Sequence, residues 1–177
     1  MNLIETFQNL VAQVPEIIQP LIVALAGAIP FIEGEGAAVI GIIGGIHPVV
    51  AAIAGIVGNF LCVLVLVLAS SGARSAIVGR SRNRRLVAAG GDPTAEVPTS
   101  SEPRSPRREK FTRALDRYGV PGVSLLGPLL LPTQFTATML AATGVRKGRI
   151  LFWQGLAIVA WTTVLTIIVG GAVHAIA

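Results

Sequence analysis

Long apolar stretches dominate the pattern of hydrophobic and polar positions along the chain. Residues 48–70 and 150–176 are each an almost uninterrupted apolar run. A helix needs about 20 consecutive apolar residues to cross a bilayer. We therefore predict two transmembrane helices, one over 48–70 and one over 150–176.

Two further apolar stretches do not fit a simple crossing. Residues 17–46 are long for one span and short for two, and Pro30 and the segment Glu33-Gly34-Glu35-Gly36 interrupt them. Residues 119–145 contain several glycines and prolines, among them Pro132. Proline removes a helix donor and glycine favours unwound backbone. We interpret each stretch as a re-entrant hairpin, in which two half-helices flank a non-helical tip.

Charge is sorted along the chain in a way that bears on topology. Residues 1–73 contain four glutamates and neither lysine nor arginine, whereas residues 73–117 form a strongly basic segment. Short loops rich in Lys and Arg stay in the cytoplasm. We therefore predict that 73–117 is a cytoplasmic loop, and that its Gly-, Pro- and Ser-rich centre is partly disordered.

The second basic cluster leaves two topologies open. If 119–145 were an ordinary span, Arg146, Lys147 and Arg149 would lie outside, and the protein would be a bundle of four spans. If 119–145 dips in and returns, all positive charge is cytoplasmic and both termini are outside. We favour the second topology.

The first residues predict a different kind of helix. Apolar residues over 1–16, including Leu3, Phe7 and Val11, recur at helical spacing and predict an amphipathic helix lying in the membrane interface. A positively charged n-region and a cleavage site are both missing there, so we do not interpret it as a signal peptide.

Composition excludes several classes of protein. Hydrophobic residues make up 53% of the 177 and charged residues only 13%, which a small soluble domain could hardly accommodate. The single Cys62 excludes a disulfide framework and a multi-cysteine metal site. Aromatic residues, at 5%, are too few for a base-stacking surface, so we expect no nucleic-acid partner despite the net charge of +5.

The order of elements suggests an internal repeat. Residues 17–72 and 118–177 would each contain a re-entrant hairpin followed by a full span, and the two halves would enter the membrane from opposite sides. A shift of 100 residues pairs Gly27 with Gly127 and Gly55 with Gly155. We predict an all-α integral membrane fold built as an inverted repeat, an architecture that places binding sites near the membrane midplane.

The acidic residues of the first tip are the main chemical clue. A carboxylate facing lipid costs roughly 2.5–3.5 kcal/mol on insertion scales, so Glu33 and Glu35 should line protein or water. We expect the pair to share one proton and to bind a cation or exchange it for protons. In the alternative interpretation, the tip lies at the outer interface and both carboxylates are solvated.

Polar residues elsewhere could face these acids. The second tip carries Thr133 and Gln134, whose side chains either face the carboxylates or, in the case of the threonines, bond the preceding turn. Asn59, in the middle of a span, either bonds across to another helix or contacts substrate. We interpret Gln154, beside Trp153, as an interfacial anchor. The predicted substrate- and proton-binding set is Pro30, Glu33, Gly34, Glu35, Gly36, Asn59, Pro132, Thr133, Gln134 and Thr136.

Several short motifs resemble a known family. The segments Gly27-Ala28-Ile29-Pro30, Gly58-Asn59, Asp116-Arg117-Tyr118-Gly119 and Leu131-Pro132-Thr133 resemble the small multidrug export protein family, which is similar to the DedA (SNARE-associated, VTT-domain) membrane proteins. The resemblance implies paired re-entrant hairpins. It also implies a transport-like role in the bacterial cytoplasmic membrane.

These observations favour a small transporter that exports cationic or amphiphilic molecules in exchange for protons. A lipid scramblase or flippase of the DedA-like type is the alternative, and a non-transporting membrane assembly protein is a third possibility. We expect no enzymatic activity and no cofactor. His47 and His174 are too few for a metal site. We also expect a homodimer in contact with membrane lipids, because two spans and two hairpins make a thin monomer.

Overall fold

The computed structural model of the chain describes residues 5–7, 9, 13–88 and 106–176, with side chains outside 74–88, 106–108 and 176. Most of the predicted interfacial helix over 1–16 and the centre of the basic loop lie outside the described residues. All regular structure in the described ranges is helical. The helices are α1 (Gln19–Gly27), α2 (Glu33–Ile43), α3 (Pro48–Ala88), α4 (Pro106–Leu126), α5 (Thr133–Thr143) and α6 (Lys147–Ile176), with a 3₁₀ turn at Gly127–Leu129.

Two helices are long and apolar enough to cross a membrane. The apolar parts are Pro48–Ala73, of 26 residues, and Lys147–Ala175, of 29 residues. At a rise of about 1.5 Å per residue, each exceeds the roughly 30 Å of a hydrocarbon core. Only 33% and 22% of their most apolar windows are buried inside the protein. They are therefore unlike the core helix of a soluble domain, which is mostly buried.

The bundle buries several polar side chains beside its apolar core and exposes many large apolar ones. The buried set includes Glu33, Asn59, Gln134 and Gln154, whereas large apolar side chains face outward along both long helices. The exposed apolar residues of these helices include Val49, Ile53, Val57, Leu61, Val65, Phe152, Leu156, Ile167 and Ile168. An apolar surface around a partly polar interior is typical of a protein surrounded by lipid.

The two interrupted stretches contain short helices, not continuous spans. Helix α1 has 9 residues and α2 has 11, and the chain between them, over 28–32, is not helical. In the second stretch, α4 is kinked at Gly119 (φ 65°), and α5 again has 11 residues. Helices of this length rise only about 14–17 Å, so none of them can cross a bilayer alone.

Glycines allow the short helices to approach α3 at backbone distance. A Cβ on Gly58 would lie 1.8 Å from the carbonyl oxygen of Ala24, and one on Gly55 would lie 2.5 Å from that of Gly34. A Cβ on Gly41 would lie 2.9 Å from the Cβ of Ala51. Because no side chain fits at these points, α1 and α2 are held directly against α3, and the start of α2 is placed deep in the bundle.

The apolar core has two parts. The first joins α1 and α2 to the beginning of α3 and includes Val23, Ala37 and Ile40. The second joins α4, α5 and α6 to the middle of α3 and includes Val63 and Leu140. Helix α3 belongs to both, so the first residues of α2 and α5 are brought together on its flank.

Candidate functional site

The first residues of α2 and α5 are in direct contact. Glu33 begins α2, Thr133 begins α5, and both are almost fully buried. The Thr133 hydroxyl donates a hydrogen bond of 2.8 Å to Oε1 of Glu33. The backbone N–H of Thr133 donates to the same oxygen. The contact therefore joins the tips of the two interrupted stretches, which are 100 residues apart in the chain.

Local backbone geometry explains why these groups can meet. Phe31 and Glu33 both have left-handed backbone, with φ of 73° and 56°. Such conformations are costly for residues other than glycine and cluster at functional sites. On the other side, Pro132 precedes α5 without any side-chain cap. The first N–H groups of a helix lack internal partners, so a carboxyl group is well placed to accept from that of Thr133.

Asn59 and Gln134 complete a buried polar cluster around this contact. Asn59, fully buried on α3, accepts a hydrogen bond of 3.1 Å at Oδ1 from Nε2 of Gln134. The Thr133 hydroxyl lies 3.2 Å from the same Oδ1 and 3.3 Å from Oε1 of Gln134. That hydroxyl has a single hydrogen and faces three acceptor oxygens. It can therefore donate to Glu33, Asn59 or Gln134, but to only one of them at a time.

The threonines of the second tip divide between the two predicted roles. Thr133 faces the acid of the first tip, whereas the hydroxyl of Thr136 donates to the carbonyl of Pro132 at 3.4 Å. Thr138 likewise donates to Phe135 at 2.8 Å. Thr136 therefore shapes the tip, where it packs against Gly127, and does not reach the acids.

Several buried polar atoms have no hydrogen-bond partner. Among the described side chains these include Nδ2 of Asn59, the hydroxyls of Thr162 and Thr166, and both amide atoms of Gln154. Thr162 is next to the first tip, since a Cβ on Gly34 would lie 2.6 Å from its hydroxyl oxygen. Buried polar groups normally find a partner, so leaving these atoms unpaired costs stability.

The interpretation of Gln154 as an interfacial anchor is wrong. The residue is fully buried, and so are Ile150, Ile158 and Thr162. These positions follow one another at intervals of four, which places them on one face of α6. That face is turned into the bundle. Polar residues at this spacing in an apolar helix were the signal in the sequence that could have identified Gln154, Thr162 and Thr166.

The two acids are in contact but differ in their other surroundings. Glu35 is half-buried and lines a separate pocket of about 320 Å³ together with Phe31, Gly36 and Leu165. The Glu35 carboxyl group also forms a side-chain hydrogen bond with that of Glu33, so the two acids are in contact at the start of α2. Of the other predicted residues, Gly34 packs against α3 and Pro30 is exposed in the connection before α2.

A larger cavity lies on the other side of the tips. It has a volume of about 640 Å³ and is lined mainly by apolar residues, with Lys110 as the only charged one among the described lining residues. Phe31 lines both cavities, and its ring lies 6.2 Å from that of Phe135. No motif or spacing in the sequence pointed to Phe31, Phe135 or Lys110 as site residues.

The residues at the centre do not form a conventional metal site. Within the described ranges, no group of three or more His, Cys, Asp or Glu side chains could hold a metal ion. Comparison with known proteins adds no assignment: no family model, no curated protein and no solved structure matches this chain.

Proposed function

We propose that this protein is a small membrane transporter that exports cationic or amphiphilic small molecules in exchange for protons. One observation carries the proposal: the carboxyl group of Glu33 is buried where the two interrupted stretches meet, and no described Lys or Arg side chain pairs with it. An unpaired acid in such a place is costly and typically functional. Proton binding removes its charge, and proton release restores it.

We infer that the fold is an inverted repeat of two re-entrant hairpins and two spans. Helices α2 and α5 cover 33–43 and 133–143, an offset of 100 residues. In an inverted repeat, a residue that contacts its own counterpart lies on the symmetry axis, and Glu33 contacts Thr133. The site would then lie between the halves near the midplane, where transporters with this symmetry bind their substrates.

The contacts of the first stretch support a hairpin. Gly27 and Gly34 both approach the carbonyl oxygen of Gly55, so the end of α1 lies near the start of α2. Farther from the tip, Gly41 approaches Val23. The end of α1 therefore meets the start of α2, and an earlier residue of α1 meets a later residue of α2. Helices that pair in this way run antiparallel. The chain would enter the membrane along α1 and return along α2 to the same side.

Cysteine labelling tests this topology. In the proposed arrangement, within a bacterial cytoplasmic membrane, His47→Cys lies outside and Lys147→Cys lies on the cytoplasmic side with the loop 73–117. In a Cys62→Ser background, an impermeant thiol reagent added outside intact cells should modify position 47 and spare position 147. Modification of position 147 from outside would instead require four ordinary spans.

The chemistry of exchange follows from the polar cluster. When Glu33 releases its proton, Thr133 offers two donors to the carboxylate, and the tips are held together. When Glu33 is protonated, that attraction weakens because hydrogen bonds to an ionised acceptor are stronger. Exchange requires that substrate and proton bind differently to the outward- and inward-facing states.

The exposed apolar faces of α3 and α6 offer a surface for lipid and for a second copy of the chain.

Transport by the purified protein in liposomes tests the proposal. An imposed pH gradient should drive a lipophilic cation across the membrane with the wild-type chain. Glu33→Gln should abolish the response to the gradient, since an amide keeps the oxygen that Thr133 bonds but carries no exchangeable charge. Glu16→Gln, at an exposed position outside the site, is the matched control and should transport normally. Unchanged gradient-driven transport by Glu33→Gln would refute proton exchange at this site.

A second candidate function, lipid scrambling, is favoured by the larger cavity. Its apolar walls suit an acyl chain, and Lys110 suits an anionic headgroup. If this is the activity, the wild-type protein should equilibrate a labelled anionic phospholipid across liposomes without a pH gradient, and Lys110→Gln should slow it. Failure of the wild-type protein to equilibrate the lipid would eliminate this candidate.

A further inference from the structure

The smaller cavity has the properties of a binding site in its own right. It lies between α2 and α6, and Phe31, Ile32, Val39, Ile40, Ile43 and Leu165 form its apolar walls. Glu35 is the only charged residue among the described residues that line it. A mostly apolar pocket with one well-placed polar group is the usual form of a small-molecule site.

Glu35 lines this cavity, whereas Glu33 does not. Glu33 receives two hydrogen bonds from Thr133, whereas the side-chain partner of Glu35 is Glu33 itself. Glu35 is half-buried and opens into the cavity. A carboxylate in such apolar surroundings attracts a cation more strongly than one in water, because the local dielectric is low.

The lining decides which kind of cation fits. A metal ion requires several oxygen ligands, and Glu35 is the only described lining residue with a side-chain oxygen. An organic ammonium ion carries its own apolar groups, which the aliphatic walls can cover. The ring of Phe31 adds a favourable surface for a quaternary ammonium group. The volume of about 320 Å³ restricts the ligand to a small molecule.

We propose that this cavity binds a small organic cation with an apolar body, and that Glu35 is its counter-ion. The proposal rests on the proposed transport function, in which the cation is the exported substrate. The two acids, which share a hydrogen bond, then have linked tasks: Glu33 holds the proton at the junction of the tips, and Glu35 holds the substrate. Phe31 lies between the two cavities, because its side chain lines both of them.

Equilibrium dialysis of the full chain in an uncharged detergent tests this site without requiring transport. The probe is radiolabelled benzyltrimethylammonium, and phenylmethanesulfonate of similar size is the anionic comparison. We expect Glu35→Gln to weaken binding of the cation about tenfold or more, the equivalent of about 1.4 kcal/mol. Val39→Trp, which fills the cavity and keeps the charge, should weaken it similarly. Glu16→Gln should bind like the wild type.

The outcomes separate this inference from the proposed function. Loss of binding in Glu35→Gln and Val39→Trp, with a smaller effect of Glu33→Gln, supports the site. Equal binding of cation and anion, or unchanged binding in both cavity variants, overturns it. If the wild type binds the cation but no pH gradient moves it, the site stands and the transport proposal fails. If transport occurs and Glu35→Gln leaves both binding and transport intact, the substrate binds elsewhere.

Discussion

Replacing Thr133 by valine isolates the contact between the two tips. The substitution removes the hydroxyl that donates to Glu33 at 2.8 Å, and it preserves the backbone N–H that donates to the same oxygen. Valine has nearly the shape of threonine, so the change leaves no cavity at this buried position. Any loss of stability therefore reports the hydrogen bond and not the packing.

The expected loss of stability in Thr133→Val follows from the kind of group that the hydroxyl bonds. A hydrogen bond to a charged group contributes about 1.5–3 kcal/mol, but hydrogen bonds between membrane helices average only about 0.6 and reach about 1.7 kcal/mol. Because the Glu33 oxygen keeps one donor, we expect Thr133→Val to lower the free energy of unfolding by about 1–2 kcal/mol. Thr133→Ser, which keeps the hydroxyl, should recover most of this loss.

Unfolding in mixed micelles, followed by tryptophan fluorescence, provides the measurement. Thr136→Val is the matched control, because its buried hydroxyl bonds only the carbonyl of Pro132 in its own turn. We expect its effect to stay below about 0.5 kcal/mol. An effect of Thr133→Val no larger than that of Thr136→Val would refute the contact.

Further expectations concern packing and the orphan polar groups, all measured by the same unfolding assay. Gly55→Ala should destabilise the fold by about 1–3 kcal/mol or more, since its Cβ would lie 2.5 Å from the carbonyl oxygen of Gly34. Gly171→Ala is the control: its Cβ would have nothing within 4 Å, so the change should be neutral or stabilising. Gln154→Leu should be tolerated or stabilising because neither amide atom has a partner, whereas Gln134→Leu should destabilise because it removes the donor to Asn59. Trp161→Phe should cost about 0.5–1.5 kcal/mol through the lost 2.9 Å bond to the Leu125 carbonyl.

The sequence by itself determined where helices are long and where they are interrupted. Apolar runs of about 20 residues specify a crossing by their length, and the predicted start at Pro48 is also where α3 begins. Breaks near Pro30 and Pro132 were predictable because proline and glycine act on the backbone locally. These are properties of a few neighbouring residues, so they can be inferred without knowing what packs against them.

Tertiary structure decided which polar groups meet. The sequence presented Glu33 and Glu35 as a pair, and the two do share a hydrogen bond, but only the fold places Glu33 against Thr133 and Glu35 at the edge of a cavity. The rotation of α6 likewise buries Gln154, which the sequence suggested was at the interface. Helix rotation and the register between halves depend on the glycine contacts between α2 and α3 and on the meeting of the tips. Those contacts join residues far apart in the chain, and no local pattern specifies them.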